Sequence, residues 1–332
     1  MGGGRKPNKK ICFPPLWQLC KEGQLAMLRR AVAQGEDVNS RDEKNRTTLI
    51  WAVGGGYNSI VRLLLKQPRI DVNVKEDQCG GTALAIAADI GNVEIVQLLL
   101  ATKSLNANST IKDGEFALTL AARRGHFSVM KLLLSDRRVN VSQTTKFGRT
   151  ALTIAAFNGH TKVVEQLLMD QRVEVNQNDD FGNSALIFAA FNGHASVVQL
   201  LLNDTRVNVN STNNKGYTAL MAAAKIGNQT VVQMLLSDER VNTNLKPVAD
   251  FKSQTAVEEA VLSPEDVGEA HGEAVDGAVV TKKESCCWNC NTPDHALELM
   301  KCKGCLRVRF FQKITSPADN MSLSSHTFKS PV

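Results

Sequence analysis

The sequence predicts an all-α solenoid of about seven stacked helix-pair units and a partial C-terminal cap, followed by a linker and a small cysteine-rich segment. Three observations carry this. First, TALTIAAFNGHTKVVEQLLMDQRVEVN at 150–176 returns as SALIFAAFNGHASVVQLLLNDTRVNVN at 184–210 and as TALMAAAKIGNQTVVQMLLSDERVNTN at 218–244. Gly91, Gly125, Gly159, Gly193 and Gly227 fall on one 34-residue grid, and such a period marks a supersecondary unit stacked on copies of itself. Second, each unit carries two apolar patterns of helical spacing separated by a glycine. Third, aromatic residues are only 5% of a chain that is 43% hydrophobic, which suits helices packed through Ala, Leu and Val.

Within a unit, the first helix runs from Ala151 to about Asn158, and the Ala155-Ala156 pair lets neighbouring helices approach closely. Gly159 breaks it in a left-handed conformation that glycine reaches without strain. A second helix follows, with Val163, Val164, Leu167 and Leu168 on one face, and a turn containing Phe147-Gly148 joins neighbours. The pattern resembles the ankyrin repeat, written G-x-T-P-L-H-x-A-A-x-x-G-H, then V-V-x-x-L-L and V-N. Two departures stand out: the T-P-L-H box reads T-A-L-T at 150–153, and the unit is one residue longer than the commonest form.

Taken in order, residues 1–12 read as a disordered basic leader and 13–261 as the ankyrin-repeat array. The first repeat opens at Phe13 and is diverged; Arg29 and Arg30 on its second helix suit a terminal cap with one solvated side. The second starts at Thr48-Leu49, and its Gly54-Gly55-Gly56 run predicts the loosest internal repeat. Repeats three to seven start near Thr82, Phe116, Thr150, Ser184 and Thr218. An eighth begins at Gln254-Thr-Ala-Val and stops after one helix, Val257 to Val261, with Glu258 and Glu259 facing water. Seven acidic residues and no Lys or Arg lie between Ser253 and Thr281, so 262–284 reads as a disordered acidic linker. Residues 285–312 form the cysteine segment and 313–332 a disordered polar tail.

The net charge of +6 is a weak argument for nucleic acid. No apolar run approaches the length of a membrane span. The start, MGGGRKPNKK, lacks the apolar core of a signal peptide, and Lys6 stands where a myristoylation motif has Ser or Thr. A monomer in the cytoplasm or nucleus is expected, and triplets such as Asn140-Val-Ser142 are then chance matches within repeats.

Ankyrin-like arrays bind through their turn tips and the exposed ends of their first helices. Carried onto this chain, the resemblance implies the helix-end pairs Asp89-Ile90, Arg123-Arg124, Phe157-Asn158, Phe191-Asn192 and Lys225-Ile226. The turn positions are Glu115, Arg149, Asn183 and Tyr217. The expected partner-binding set is Arg123, Arg124, Arg149, Phe157, Phe191, Tyr217 and Lys225: exposed aromatics flanked by basic residues, fitting a protein partner with an acidic segment. If Phe157 and Phe191 are surface anchors, their removal leaves the thermal midpoint nearly unchanged; if they merely cover the groove, it does not.

Two periodic columns are read as structural. His126, His160 and His194 follow the repeat glycine and satisfy backbone groups in the turn; positions one repeat apart cannot converge on one ion. The pairs Asp136/Arg138, Asp170/Arg172, Asp204/Arg206 and Asp238/Arg240 end the second helices. There the bases complement the helix dipole and the acids cancel any basic stripe for nucleic acid.

Five of the eight cysteines lie between 286 and 305. In a chain with no secretory signal this favours metal over disulfides. Cys287-x2-Cys290 and Cys302-x2-Cys305 supply four thiolates for one tetrahedral zinc, whose binding gives folding energy to a segment with little core; Cys286 and His295 are spare candidates. The segment resembles the opening half of a MYND-type zinc finger, in which pairs cross-brace two metals. Phe310 matches that family's aromatic, but Phe311 stands at the next cysteine position and His326 is alone. Neither family site can therefore be completed within this chain: the four cysteines gather on one zinc, or the finger stays unfolded.

No phosphate-binding loop, nucleophile elbow or H-E-x-x-H helix is found. The expected function is a non-enzymatic scaffold that binds a protein in the concave groove, with the zinc segment as a second contact. Two alternatives stay open: an accessory subunit or substrate adaptor of a modifying enzyme, and nucleic-acid binding through Lys301, Lys303, Arg307 and Arg309 beside the zinc.

Overall fold

From the second repeat on, each described repeat opens on a side chain that halts extended backbone and starts a helix, while the first starts after Pro15 with no side-chain cap. Thr47, Thr82, Thr150, Ser184 and Thr218 accept from the backbone N–H three residues on, at 3.1–3.3 Å, which satisfies a donor that the first turn leaves orphaned. Phe116 takes this place in the fourth repeat, and there Thr119 Oγ1 accepts from the Phe116 N–H instead, at 2.9 Å. In the computed structural model, which describes residues 12–245, these starts lead into seven helix pairs. The first helices are α1 (Leu16–Lys21), α3 (Thr48–Gly54), α5 (Ala83–Ile90), α7 (Ala117–Arg124), α9 (Ala151–Phe157), α11 (Ala185–Phe191) and α13 (Ala219–Ile226). The second are α2 (Leu25–Ala33), α4 (Asn58–Leu65), α6 (Val93–Leu100), α8 (Phe127–Ser135), α10 (Thr161–Met169), α12 (Ala195–Asn203) and α14 (Gln229–Leu236). The leader, the eighth unit, the linker, the cysteine segment and the tail lie outside the described residues.

First helices stack on first helices and second on second, so the array has two layers, with each pair also packed internally. Ala155, Ala156, Val163, Val164 and Leu167 are buried, as their spacing predicts. Leu168 is only half-buried at the edge of that core. Within the Gly54-Gly55-Gly56 run a ring covers Gly55 alone: a Cβ there would stand 2.3 Å from Tyr57, whereas Gly54 has nothing within 4 Å. Close approach thus accounts for that glycine.

Polar columns tie each unit to the next. The turn tips form a ladder: Lys112, Lys146, Asp180 and Asn214 donate their N–H groups to Cys79, Asp113, Phe147 and Phe181 carbonyls at 2.8–3.2 Å. Asn39, Asn73, Asn108, Asn176 and Asn210 each donate a side-chain N–H to the next repeat and accept one from it. The histidines do the same from the other side. His126, His160 and His194 meet the carbonyls of Asp89, Arg123 and Phe157 at 2.9–3.0 Å, reaching the preceding repeat rather than their own turn. Their rings fill the space over Gly91, Gly125 and Gly159, where a Cβ would come within 2.6 Å.

Candidate functional site

The groove face is built where turns meet the ends of first helices. In the turn before α11, Asp179 Oδ1 accepts from the N–H groups of Phe181 and Asn183 at 3.1 and 2.8 Å. Thr145 and Asn213 organise the neighbouring turns in the same way. This leaves Phe181 at the tip, 41% exposed. On the first helices, Phe157 meets Phe188 edge-on with ring centroids 5.5 Å apart. The Arg149 guanidinium lies 5.9 Å from the Phe157 ring and 5.4 Å from the Phe188 ring. One turn and two successive first helices therefore converge on a ring–guanidinium cluster.

Arg149 is half-buried beside a fully buried carboxylate. Its Nε stands 3.6 Å from Asp179 Oδ2, an ion pair without a hydrogen bond. Arg149 Nε, Asp179 Oδ2 and Asn183 Nδ2 are all buried without a hydrogen-bond partner. Burial pushes the Asp179 carboxyl above the ordinary carboxylate range, against its backbone hydrogen bonds and the Arg149 charge.

Several expected site residues sit differently. Tyr217 and Asn183, assigned to exposed turn tips, are buried, and the two turns pack on each other, Asn213 Nδ2 donating to Asn183 Oδ1 at 3.1 Å. Phe157 and Phe191 are half-buried, not exposed: Phe157 leans on Phe188 of the following repeat, and Phe191 packs against the core. The basic flank is paired. Arg123 bonds Glu115 of its own repeat, and Arg124 holds Asp89 of the preceding one by two hydrogen bonds at 2.8 and 3.2 Å. Lys225 is half-buried at the end of α13. Among the turn tips and first-helix ends, the open large apolar side chains are Phe181, Ile90 and Ile226.

Phe188 and Asp179 enter this cluster unannounced by the sequence reading. Phe188 shares the column of the buried Ile154, which reads as core. Phe181 does carry a sequence signal, since it repeats Phe147 before a turn glycine.

The Asp–Arg pairs at the ends of the second helices are structural, as expected, and their role is specific. Arg138, Arg172, Arg206 and Arg240 donate to the carbonyls of Leu100, Leu134, Leu168 and Leu202 at 2.5–2.6 Å, closing the helix of the preceding repeat. Hydrogen bonds from these arginines hold Asp136, Asp170, Asp204 and Asp238 below the usual carboxylate range.

The described residues hold no group of three His, Cys, Asp or Glu able to bind a metal. Burial pushes the Cys20 thiol up to about 12, which makes it a core residue rather than a nucleophile. No described helix is long and apolar enough to cross a membrane. Cys287, Cys290, Cys302 and Cys305 lie outside the described residues.

The family model for ankyrin repeats matches residues 16–113, 103–179 and 166–247. Among curated relatives, the human photoreceptor ankyrin repeat protein is 34% identical over 101 residues, 30% of this chain and 22% of that protein. A BTB/POZ domain-containing protein 1 of Schizosaccharomyces pombe is 41% identical over 78 residues, 24% of this chain and 6% of that protein. Osteoclast-stimulating factor 1 of Bos taurus is 39% identical over 59 residues, 18% of this chain and 28% of that protein. The matched stretches thus span less than a third of each of these relatives.

Proposed function

The chain belongs to the ankyrin-repeat family, and we propose that it is a non-enzymatic scaffold whose groove at repeats five and six captures a protein partner. The observation that carries this is the open Phe181 ring, two positions after the Asp179 that faces Arg149, on turns braced by a backbone ladder. Rings backed by rigid structure lose little entropy on binding and serve as anchors. An acidic partner segment meets arginines already held by Glu115, Asp89 and Asp179. It exchanges for those carboxylates rather than finding bare charge, so the rings set the affinity and salt weakens it only modestly.

Selection of peptides from a display library on the full chain tests this. Selected peptides should bind the Phe181→Glu chain at least tenfold more weakly at an unchanged thermal midpoint. Equal affinity for that variant rejects the groove as the site.

We assign the second contact to 285–312, with Cys287, Cys290, Cys302 and Cys305 on one zinc; two C-x2-C pairs are what supports it. Elemental analysis of the full chain should give about one zinc, lost on Cys302→Ser. A zinc-free chain removes this contact and leaves the groove alone.

A further inference from the structure

Of the arginines on the groove face, one is held loosely. Arg124 makes two hydrogen bonds to Asp89, and Arg123 bonds Glu115. Arg149 Nε stops 3.6 Å from Asp179 Oδ2, and both atoms are buried without a hydrogen-bond partner. Repeat two shows the same arrangement satisfied, with Asp42, Arg46 and Trp51 standing where repeat six has Asp179, Asn183 and Phe188. There Asp42 Oδ2 accepts from Arg46 Nε at 2.7 Å and from Trp51 Nε1 at 3.1 Å. Repeat six has neither donor, and its cation comes instead from the turn of repeat five. The turn itself does not need the charge, since Thr145 and Asn213 organise theirs through neutral oxygens. Asp179 is thus a buried carboxylate whose cation is imperfectly placed, and such a pair yields readily to a better-aligned competitor.

We propose that Arg149 is the residue with which the groove captures a partner's carboxylate, and that Asp179 takes up a proton as Arg149 leaves it. This rests on the groove reading above and adds to it the partner's chemistry and a pH control. A carboxylate that meets the guanidinium in a forked, hydrogen-bonded geometry replaces a contact that has no hydrogen bond at Nε. The rings of Phe157 and Phe188 lie 5.9 and 5.4 Å from the guanidinium and offer it no competing acceptor.

The proton follows from what faces Asp179. The preceding repeat contributes Arg149, and its own turn the N–H groups of Phe181 and Asn183. The following turn contributes the neutral Asn213, which bonds Asn183. Arg149 is the charge that bears on the carboxyl, and burial already lifts that carboxyl above its ordinary range. Withdrawing the guanidinium lifts it further. Capture therefore raises this pKa, so affinity for an acidic partner rises as pH falls from the bound value towards the free one and is flat below it.

The probe is a peptide selected from a display library on the full chain and containing Asp or Glu, together with its Asn or Gln form. Calorimetry in two buffers of different ionisation enthalpy should show proton uptake with the acidic form and none with the amide form. Affinity for the acidic form should rise at least about threefold from about pH 7.5 to about pH 5.5. Asp179→Asn, which keeps the turn's acceptor as Asn213 does, should bind the acidic form more tightly at the higher pH and abolish the uptake. Arg149→Met should weaken the acidic form to the level of the amide form. The capture role is overturned if the selected peptides lack acidic residues or if Arg149→Met weakens both forms equally. The proton exchange is overturned if affinity is flat with pH or if the pH profile survives Asp179→Asn. Phe181→Glu separates these failures from that of the groove. A peptide whose binding that variant leaves intact sits elsewhere and rejects both readings, whereas pH-independent binding lost in Phe181→Glu rejects the exchange alone.

Discussion

Arg206 donates through Nη2 to the carbonyl of Leu168 at 2.6 Å, one repeat earlier in the chain. Asp204 holds the guanidinium in place, accepting from Nε at 3.0 Å and from Nη2 at 2.6 Å. The pair closes the end of α10, where carbonyls have no partner within the helix. Arg206→Met should therefore cost about 1–2 kcal/mol, the loss of a charge-assisted hydrogen bond at a partly exposed site. Urea unfolding measures it. Asp204→Asn should cost less, because the carbonyl keeps its donor.

The asparagine bridges have one gap. At Ser142 the hydroxyl reaches the Arg172 carbonyl at only 3.4 Å, whereas Asn176 and Asn210 reach theirs at 2.7 Å. Ser142→Asn should complete the column and stabilise the chain by about 0.5–1 kcal/mol. An unchanged urea midpoint would show that these bridges follow from the stacking and add nothing to it.

Gly148 and Gly35 both have positive φ, +70° and +83°, but only one is crowded. A Cβ on Gly148 would lie 2.4 Å from Asp180 Oδ1 and 2.9 Å from its backbone nitrogen, while Gly35 has nothing within 4 Å. Gly35→Ala should cost about 1 kcal/mol, the left-handed penalty alone. Gly148→Ala should cost at least twice that, because the obstacle includes backbone that takes part in the tip ladder. Equal losses would mean that the ladder shifts freely.

Acid should weaken the array in a defined window. Arg138, Arg172, Arg206 and Arg240 hold their aspartates below the usual range. Their stabilisation is complete above the unfolded carboxylate pKa of about 4 and is lost as pH falls through the lower folded values. Asp179 acts in the opposite sense: burial raises its carboxyl, so its protonation on acidification offsets part of that loss. Thermal midpoints should fall between about pH 4 and pH 2, more steeply in Asp179→Asn and less steeply in Arg206→Met.

Phe157→Ala and Phe181→Ala should separate ring from ring. Phe157 packs on Phe188 and under Arg149, so its loss should cost about 1–3 kcal/mol. Phe181 stands open at a turn tip, and its loss should stay within about 0.5 kcal/mol. Calorimetry of the two variants checks this, and the reverse order would mean that the groove face is assigned the wrong way round.

Much of this molecule follows from its sequence alone. The 34-residue period, the Thr caps, the repeat glycines and the buried Ala155-Ala156 pair define the helix pairs and their stacking, because each depends on residues within one turn or one helix. The histidine and Asp–Arg columns were also legible as structural, since a periodic residue in a solenoid makes the same contact each time. What only the tertiary structure decided is which of the groove residues are open and which charges are paired. Phe157 is shielded by Phe188, 31 positions away, Arg149 faces Asp179, 30 positions away, and Arg124 holds Asp89, 35 positions back. Spacing within a unit fixes the face on which a side chain lies. The residue opposite it belongs to another unit, and the width of that gap depends on how closely the two helices pack.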